Sequence, residues 1–438
     1  MEPVKMVKNV TFIEAMAIVV GMIIGSGIFL KPGIVLNHTG SPVLSLLAWV
    51  AGGIITLASA LTVAEIASSI PKSGGLYTYL GELYGDAFGF LLGWVQTVIA
   101  YPASVAAQAI AFATYSNFFI PMTPAQQKLL GIGVLAVLLL MNILSTRYGG
   151  AIQVVATVGK LVPIVAIVAA GLLSTAMPGF AGMGSTLATR GSGFGAAILS
   201  TLWAYDGWIG VTNMAGELKN PSKTLPRVIT IGVLFVILVY ALFNLAVFNV
   251  VPLEEIVASD TPGAVVAETL FGKGGGAFIT AGIMISVFGA LNGYLMTAAR
   301  VPQAMAEQGK LPMARTLGRI SPKFRTPANA LIMQSLLAVV YIFSGTFNTL
   351  TDMLVFVLWI FFTMGVFGIF LLRKRKLSPE GGYKVPLYPL TPIFGMIGGA
   401  YILVSTIIDT PARSLIGIGI TLIGLPVFWL INRKERKA

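Results

Sequence analysis

Apolar runs of about twenty residues follow one another along nearly the whole 438-residue chain, separated by short polar stretches. They fall at roughly 10–38, 42–70, 83–117, 124–146, 149–174, 193–216, 227–250, 274–306, 328–344, 348–371, 391–408 and 413–432. A helix rises about 1.5 Å per residue, so about twenty residues cross a hydrocarbon layer of about 30 Å. The alternating ten-residue stretches of a strand barrel are absent. Lipid offers no partner to free backbone groups, so the pattern predicts an all-α integral membrane protein with twelve transmembrane helices. No linker is long enough to separate soluble domains, and residues 1–438 read as a single transmembrane domain.

Composition strengthens this picture. Hydrophobic residues make up 56% of the chain and charged residues 10%, against about 25% charged in a soluble domain. The net charge of +12 would suit a nucleic-acid binder, but the charges cluster between apolar runs, as they do beside membrane spans. With the N-terminus inside, 22 of the 28 lysines and arginines fall on the cytoplasmic side and five, Lys31 among them, on the outer side. Both termini are then cytoplasmic, in a multi-pass protein of the cell (plasma) membrane. The acidic stretch 252–273 reads as an outer loop, and the basic loops 307–326 and 372–390 as topology determinants near anionic lipid. The first residues lack the features of a cleaved signal peptide, and none is expected. With no cysteine and one histidine, His38, there is no disulfide or thiolate metal site, and neither a metal nor a cofactor is expected.

Two runs are interrupted. The first reads GMIIGSGIF, with Gly25, Ser26 and Gly27 inside a long apolar stretch; the sixth reads LWAYDGW, with Asp206 and Gly207 near its middle. Glycine costs about 1 kcal/mol against alanine inside a helix, so both runs weaken at similar depth. The breaks lie roughly 180 residues apart, each in the first member of a five-span set. Five is odd, so the second set enters from the opposite side. This is the layout of an inverted repeat over 10–174 and 193–371, with two additional helices over 391–432, and its paired interruptions mark a binding site. Close packing of small residues is the competing explanation for the first break taken alone. An unwound helix exposes N–H groups at the positive start of one half and carbonyls at the negative end of the other, which together suit a zwitterion. Ser26 and Gly27 are candidate carboxylate donors; Ile23, Trp203 and Ala204 offer candidate carbonyls.

Lys160 is the one basic residue left inside a span, roughly 16 Å from its edge. An intramembrane charge is functional by default. It could pair with Asp206, carry a proton, or sit against half-helix carbonyls where a sodium-coupled carrier holds its ion. A lysine facing a water-filled vestibule is the plainer alternative. Glu14 and Glu65 lie near cytoplasmic ends and read as structural, Asp352 as interfacial. Trp203 and Trp208 lie too near the middle of their span for an interface belt. An ion channel would need a continuous polar pore, and an enzyme would need clustered catalytic groups that this chain lacks.

With those residues in view, the chain resembles the amino acid–polyamine–organocation superfamily and, within it, the L-amino acid transporter family. The resemblance is carried by GMIIGSGIF, PKSGGLYTYL (Pro71 to Leu80), LWAYDGW followed by GELKNPSKTLPR (Gly216 to Arg227), VYALFN (Val239 to Asn244), and FGALNGYLMTAAR with EQGKLP (Phe288 to Pro312). It runs from Thr11 to about Asn432 and includes a likeness to bacterial alanine–serine–cysteine exchangers of that family. It implies a LeuT-like 5+5 fold and sodium-independent antiport of small neutral L-amino acids such as alanine, serine and cysteine by alternating access. The alternative of the same fold is a proton-coupled uptake carrier that accepts cationic amino acids. The resemblance places Ile23, Gly25, Ser26, Gly27, Trp203, Ala204, Asp206 and Gly207 around the substrate. It gives Lys160 the sodium-replacing role, with the Gly21 carbonyl and Ser286 as partners, and brings Tyr240 near the site. Eukaryotic members bond a heavy subunit through a cysteine that this chain lacks, so no disulfide-linked partner is expected. Aspartate at 206, where several neutral carriers have a small residue, points to selectivity that is not strictly neutral.

Overall fold

The computed structural model describes residues 10–435 except 71, 73, 145 and 175–192. Lys5, Lys8, Arg190, Arg436 and Lys437 of the charge count, and Pro71 and Ser73 of the PKSGG motif, lie outside the described residues. Among those described, every regular element is helical, and the only extended pairing is a single bridge between Val10 and Leu218.

Among the described residues ten helices are long and apolar enough to cross a membrane: Phe12–Thr39, Pro42–Ser69, Asp86–Ser116, Pro124–Leu144, Gly149–Leu173, Pro221–Val250, Pro262–Glu307, Phe347–Lys374, Leu390–Asp409 and Pro411–Ile431. Two apolar helices, Phe194–Ala204 and Ala328–Ser344, are shorter. The expected twelve spans thus become ten full-length helices and two short ones, numbered here as segments one to twelve in chain order. Segment six is the largest departure. Its helix stops at Ala204, and only a four-residue helix, Gly210–Asn213, follows the turns at 205–209.

Local chemistry sets the ends. Segment one starts at a capping box: Thr11 Oγ1 accepts from the Glu14 amide at 3.3 Å, and Glu14 Oε2 accepts from the Thr11 amide at 2.7 Å. Segment two starts at Ser41 with Pro42 in its first turn. The acidic stretch expected to be a loop is largely helical. Leu253–Ala258 is a short helix, and segment eight already begins at Pro262 and bends at Gly272, whose φ of 68° only glycine adopts readily. The outward faces carry a belt of bare aliphatics, including Val155 at 72%, Leu336 at 63% and Ile397 at 63% exposure. Such a belt is stable against lipid, not water.

Several charges are buried, among them Lys31 and Arg300, expected beside the spans, and Glu65, expected to be structural. Lys31 is fully enclosed on segment one, its Nζ 3.0 Å from Thr351 Oγ1 and 3.3 Å from Asp352 on segment ten. Arg300 and Glu217 form a buried ion pair at 3.0 Å. Glu65, fully buried at the end of segment two, takes both Nε and Nη2 of Arg373 and the Val385 amide.

The packing has a numerical regularity. Segment five packs on one, seven and eight; segment ten packs on six, two and three. Segment one meets six, two meets seven, three meets eight and four meets nine. Adding five to each number, modulo ten, exchanges these contacts. Segment eleven packs on the outside against ten, two and six, and segment twelve against ten and the start of three. The end of the bundle holding Thr11, Glu217 and Arg300 is called the near face, and the end holding Gly40 and Phe347 the far face.

Candidate functional site

Segment one breaks where the small residues predicted it. Its first half-helix, Phe12–Ile23, ends at Ile24, and the second, Gly27–Thr39, begins after Ser26. The last carbonyls of any helix lack intrahelical donors. Here they find three side chains. Lys160 Nζ lies 2.8 Å from the Gly21 carbonyl and 2.5 Å from that of Ile24. Tyr240 Oη lies 2.8 Å from the Ile23 carbonyl. Ser286 Oγ reaches the Ile24 carbonyl at 3.5 Å, the outer limit of a hydrogen bond. A cation at a helix C-terminus is favoured by the dipole, which accounts for a fully buried lysine in this position. Among the described residues no ion pair joins Lys160 to Asp206, whose carboxylate instead accepts from Tyr294 Oη at 2.8 Å. The pairing reading is thereby replaced by the carbonyl one.

Segment six opens on a different device. Gly207 has φ 99°, and a Cβ there would lie 2.8 Å from Met22 Cβ, so the left-handed backbone and the close approach both demand glycine. The Trp203 carbonyl accepts from the Asp206 amide at 3.1 Å, which leaves it one lone pair. The Ala204 carbonyl is 2.7 Å from Tyr240 Oη, so one hydroxyl touches both broken helices. The breaks also touch directly: a Cβ on Gly27 would lie 2.6 Å from Ala204 Cα. Gly27→Ala is therefore expected to force the crossing apart and destabilise the fold by about 1–3 kcal/mol, the usual scale of overpacking. Thermal melts of the purified variant beside the parent check this.

The remaining polar atoms are unevenly served. The Ser26 amide donates to Gln108 Oε1 at 3.3 Å. Ser26 Oγ and Trp203 Nε1 are buried without a hydrogen-bond partner, unusual for groups that cost about 1–3 kcal/mol when unpaired. Gly25 packs so closely that a Cβ would meet Ala290 Cβ at 2.8 Å. Gln108, Tyr294 and the Ile24 carbonyl were missed in the sequence. Gln108 and Tyr294 come from segments three and eight, which carry no break to draw attention.

The far face holds a cavity of about 770 Å³, lined among others by Leu30, Asn37, Asn117, Lys128 and Phe347. Between it and the breaks stands an aromatic stack: Phe347 sits edge-on to Trp203 at 5.9 Å, and Trp203 lies parallel to Tyr294 at 6.3 Å. Below the stack is a cavity of about 20 Å³ lined by Asp206, Gly207, Tyr294, Tyr101, Gln96 and Ser104. Gln96 opens a π-helical turn, Gln96–Ala100, inside segment three, a distortion common at functional sites. On the near side the chain is closed by the Arg300–Glu217 pair and by the Val10 amide on the Glu217 carbonyl at 3.0 Å.

A bundle of apolar helices with two broken helices meeting at a buried polar centre is the architecture of a membrane carrier. The amino acid permease family model matches residues 10–431, and the chain belongs to that family, within the amino acid–polyamine–organocation superfamily and its L-amino acid transporter branch. It is a multi-pass membrane protein of an amino acid transporter family, not an enzyme. The chain is 41% identical to the serine/threonine exchanger SteT of Bacillus subtilis (strain 168), over 98% of each chain. It is 33% identical to the Asc-type amino acid transporter 1 of Mus musculus, over 98% of this chain and 82% of that one. It is 32% identical to the b(0,+)-type amino acid transporter 1 of the same species, over 92% and 84%.

Proposed function

We propose that the protein is a sodium-independent exchanger of small neutral L-amino acids, serine, alanine and cysteine among them, working by alternating access. The observation that carries this is the Lys160 amine on the Gly21 and Ile24 carbonyls: a tethered side chain stands where a coupling cation would be held. The amino acid backbone would lie between the two breaks, its carboxylate toward Ser26 and Gly27 and its amine toward the Ile23 and Ala204 carbonyls, with Gly25, Trp203, Asp206 and Gly207 around it. Segments one to five and six to ten form the two inverted repeats, supported by the exchange of contacts under a shift of five. The near face is cytoplasmic and the membrane is the plasma membrane, supported by the lysine and arginine bias.

The small cavity supports the size class. About 20 Å³ is the scale of one water or hydroxyl, and Gln96 Oε1 in its wall is buried without a partner. A hydroxymethyl group fits that space; a lysine side chain does not unless the walls move. The relative from Bacillus subtilis is called a serine/threonine exchanger, which agrees with a hydroxyl subsite.

Purified protein in liposomes tests the reading. Labelled serine should enter vesicles loaded with unlabelled serine, equally well with sodium replaced by choline. Equal entry into empty vesicles would overturn exchange. Accumulation driven by an imposed pH gradient would instead make the protein a proton-coupled uptake carrier.

A further inference from the structure

Segment five meets the first half-helix through a row of polar side chains at helical spacing. Gln153, Thr157 and Lys160 stand at i, i+4 and i+7, hence on one face. They address the carbonyls of Ala17, Gly21 and Ile24, which have the same spacing. Gln153 Nε2 and Thr157 Oγ1 donate to Ala17 at 3.2 and 3.1 Å, and Lys160 to Gly21 and Ile24. Gly21 makes this approach feasible, because a Cβ there would lie 2.0 Å from Gln153 Nε2 and 2.6 Å from Thr157 Oγ1.

The row continues away from the site. Gln153 Oε1 accepts from Asn292 Nδ2 at 3.1 Å, and that amide also reaches the Gly149 carbonyl at 3.0 Å. Asn292 Oδ1 accepts from Asn142 Nδ2 at 2.9 Å. Gln153, Asn292 and Asn142 are all buried. One chain of hydrogen bonds thus ties segments four, eight and five to the near half of segment one. In an apolar interior each link is expensive to leave unmade, so the chain holds or lets go as a unit.

We infer that Gln153, Thr157, Asn292 and Asn142 are positioning residues that latch the first half-helix against segment five, and that release of this latch sets how readily the near face opens. The inference rests on the transport reading only where flux is measured.

Because the chain has no cysteine, a single introduced thiol reports opening without background. Thr297→Cys is the probe. Thr297 is fully buried, with its hydroxyl facing Met22 Sδ at 3.7 Å, so it is uncovered when the first half-helix moves off segment eight. In full-length detergent-solubilised protein without substrate, labelling by a charged maleimide should accelerate about tenfold on adding Gln153→Leu or Asn292→Leu, the scale of one or two lost buried hydrogen bonds. The double variant should label no faster than either single one, since one break suffices. Labelling within twofold of the probe alone, or two effects that simply add, would overturn the latch. Thr157→Val, nearly isosteric, should act in the same direction more weakly and serves if Gln153→Leu does not fold; no acceleration in it would count against the latch. A merely structural role would lower folded yield while leaving the labelling rate of the folded fraction unchanged. Labelling needs no exchange, so this result is separable from failure of the exchange reading; in vesicles, the latch variants should alter maximal flux more than apparent affinity from the far side.

Discussion

Lys160→Ala is expected to give a folded, monodisperse protein whose exchange rate falls by about a hundredfold or more. Each hydrogen bond to a charged donor contributes about 1.5–3 kcal/mol, and Lys160 makes two, to Gly21 and Ile24. Losing even the lower end of that total, about 3 kcal/mol, in the transport cycle is worth about two powers of ten in rate. Folding suffers less, because removing a buried cation also removes its desolvation cost, and because Tyr240 still meets the Ile23 carbonyl between the two vacated ones. Lys160→Arg is expected not to restore flux, since a planar five-donor guanidinium cannot occupy the place of a compact ammonium. Exchange measured beside size-exclusion profiles decides the matter. Native flux in the alanine variant would remove Lys160 from the mechanism.

The second large effect is expected at the near face. Arg300 and Glu217 are each 3% exposed and bonded at 3.0 Å, and Arg300 also donates to the Met296 carbonyl. Removing one member of such a pair strands the other charge, at about 3–5 kcal/mol. Arg300→Ala and Glu217→Ala should therefore each depress thermal stability sharply and abolish exchange. The double replacement Glu217→Leu with Arg300→Met should recover most of the stability, because apolar pairs of similar volume often substitute without loss. It should not recover exchange if the pair opens and closes in each cycle. Full recovery of both would make the pair scaffolding, and thermal melts beside counterflow in the same preparations tell these apart.

Much of this organisation could be read from the sequence because lipid imposes a coarse grammar. Backbone groups must be paired within each span, so hydrophobic length found the helices, and glycine-rich interruptions found both breaks at 24–26 and 205–209. What escaped was set by tertiary partners. Segment six carries a run long enough for a span, yet its helix ends at Ala204, where turns at 205–209 bring Gly207 against Met22. Lys31 and Arg300 look like loop cations, since sequence distance to an apolar run says nothing of an acid on another segment. Lys160 stood out as a lone charge, but its choice between Asp206 and carbonyls needed the crossing of segments one and five. The spacing Gln153, Thr157, Lys160 was visible and carried information; its meaning appears only beside the matching carbonyls of segment one.

Tyr240 brings a question of supply and demand. Its phenol has one hydrogen, yet it stands between two carbonyls, Ile23 at 2.8 Å and Ala204 at 2.7 Å. Only one can be served at a time, so the junction is short of one donor. A primary ammonium brings three and can satisfy both acceptors while leaving one hydrogen for the phenol oxygen. Methylating that nitrogen removes donors one by one, so affinity along a series from primary to quaternary amine counts how many the junction uses.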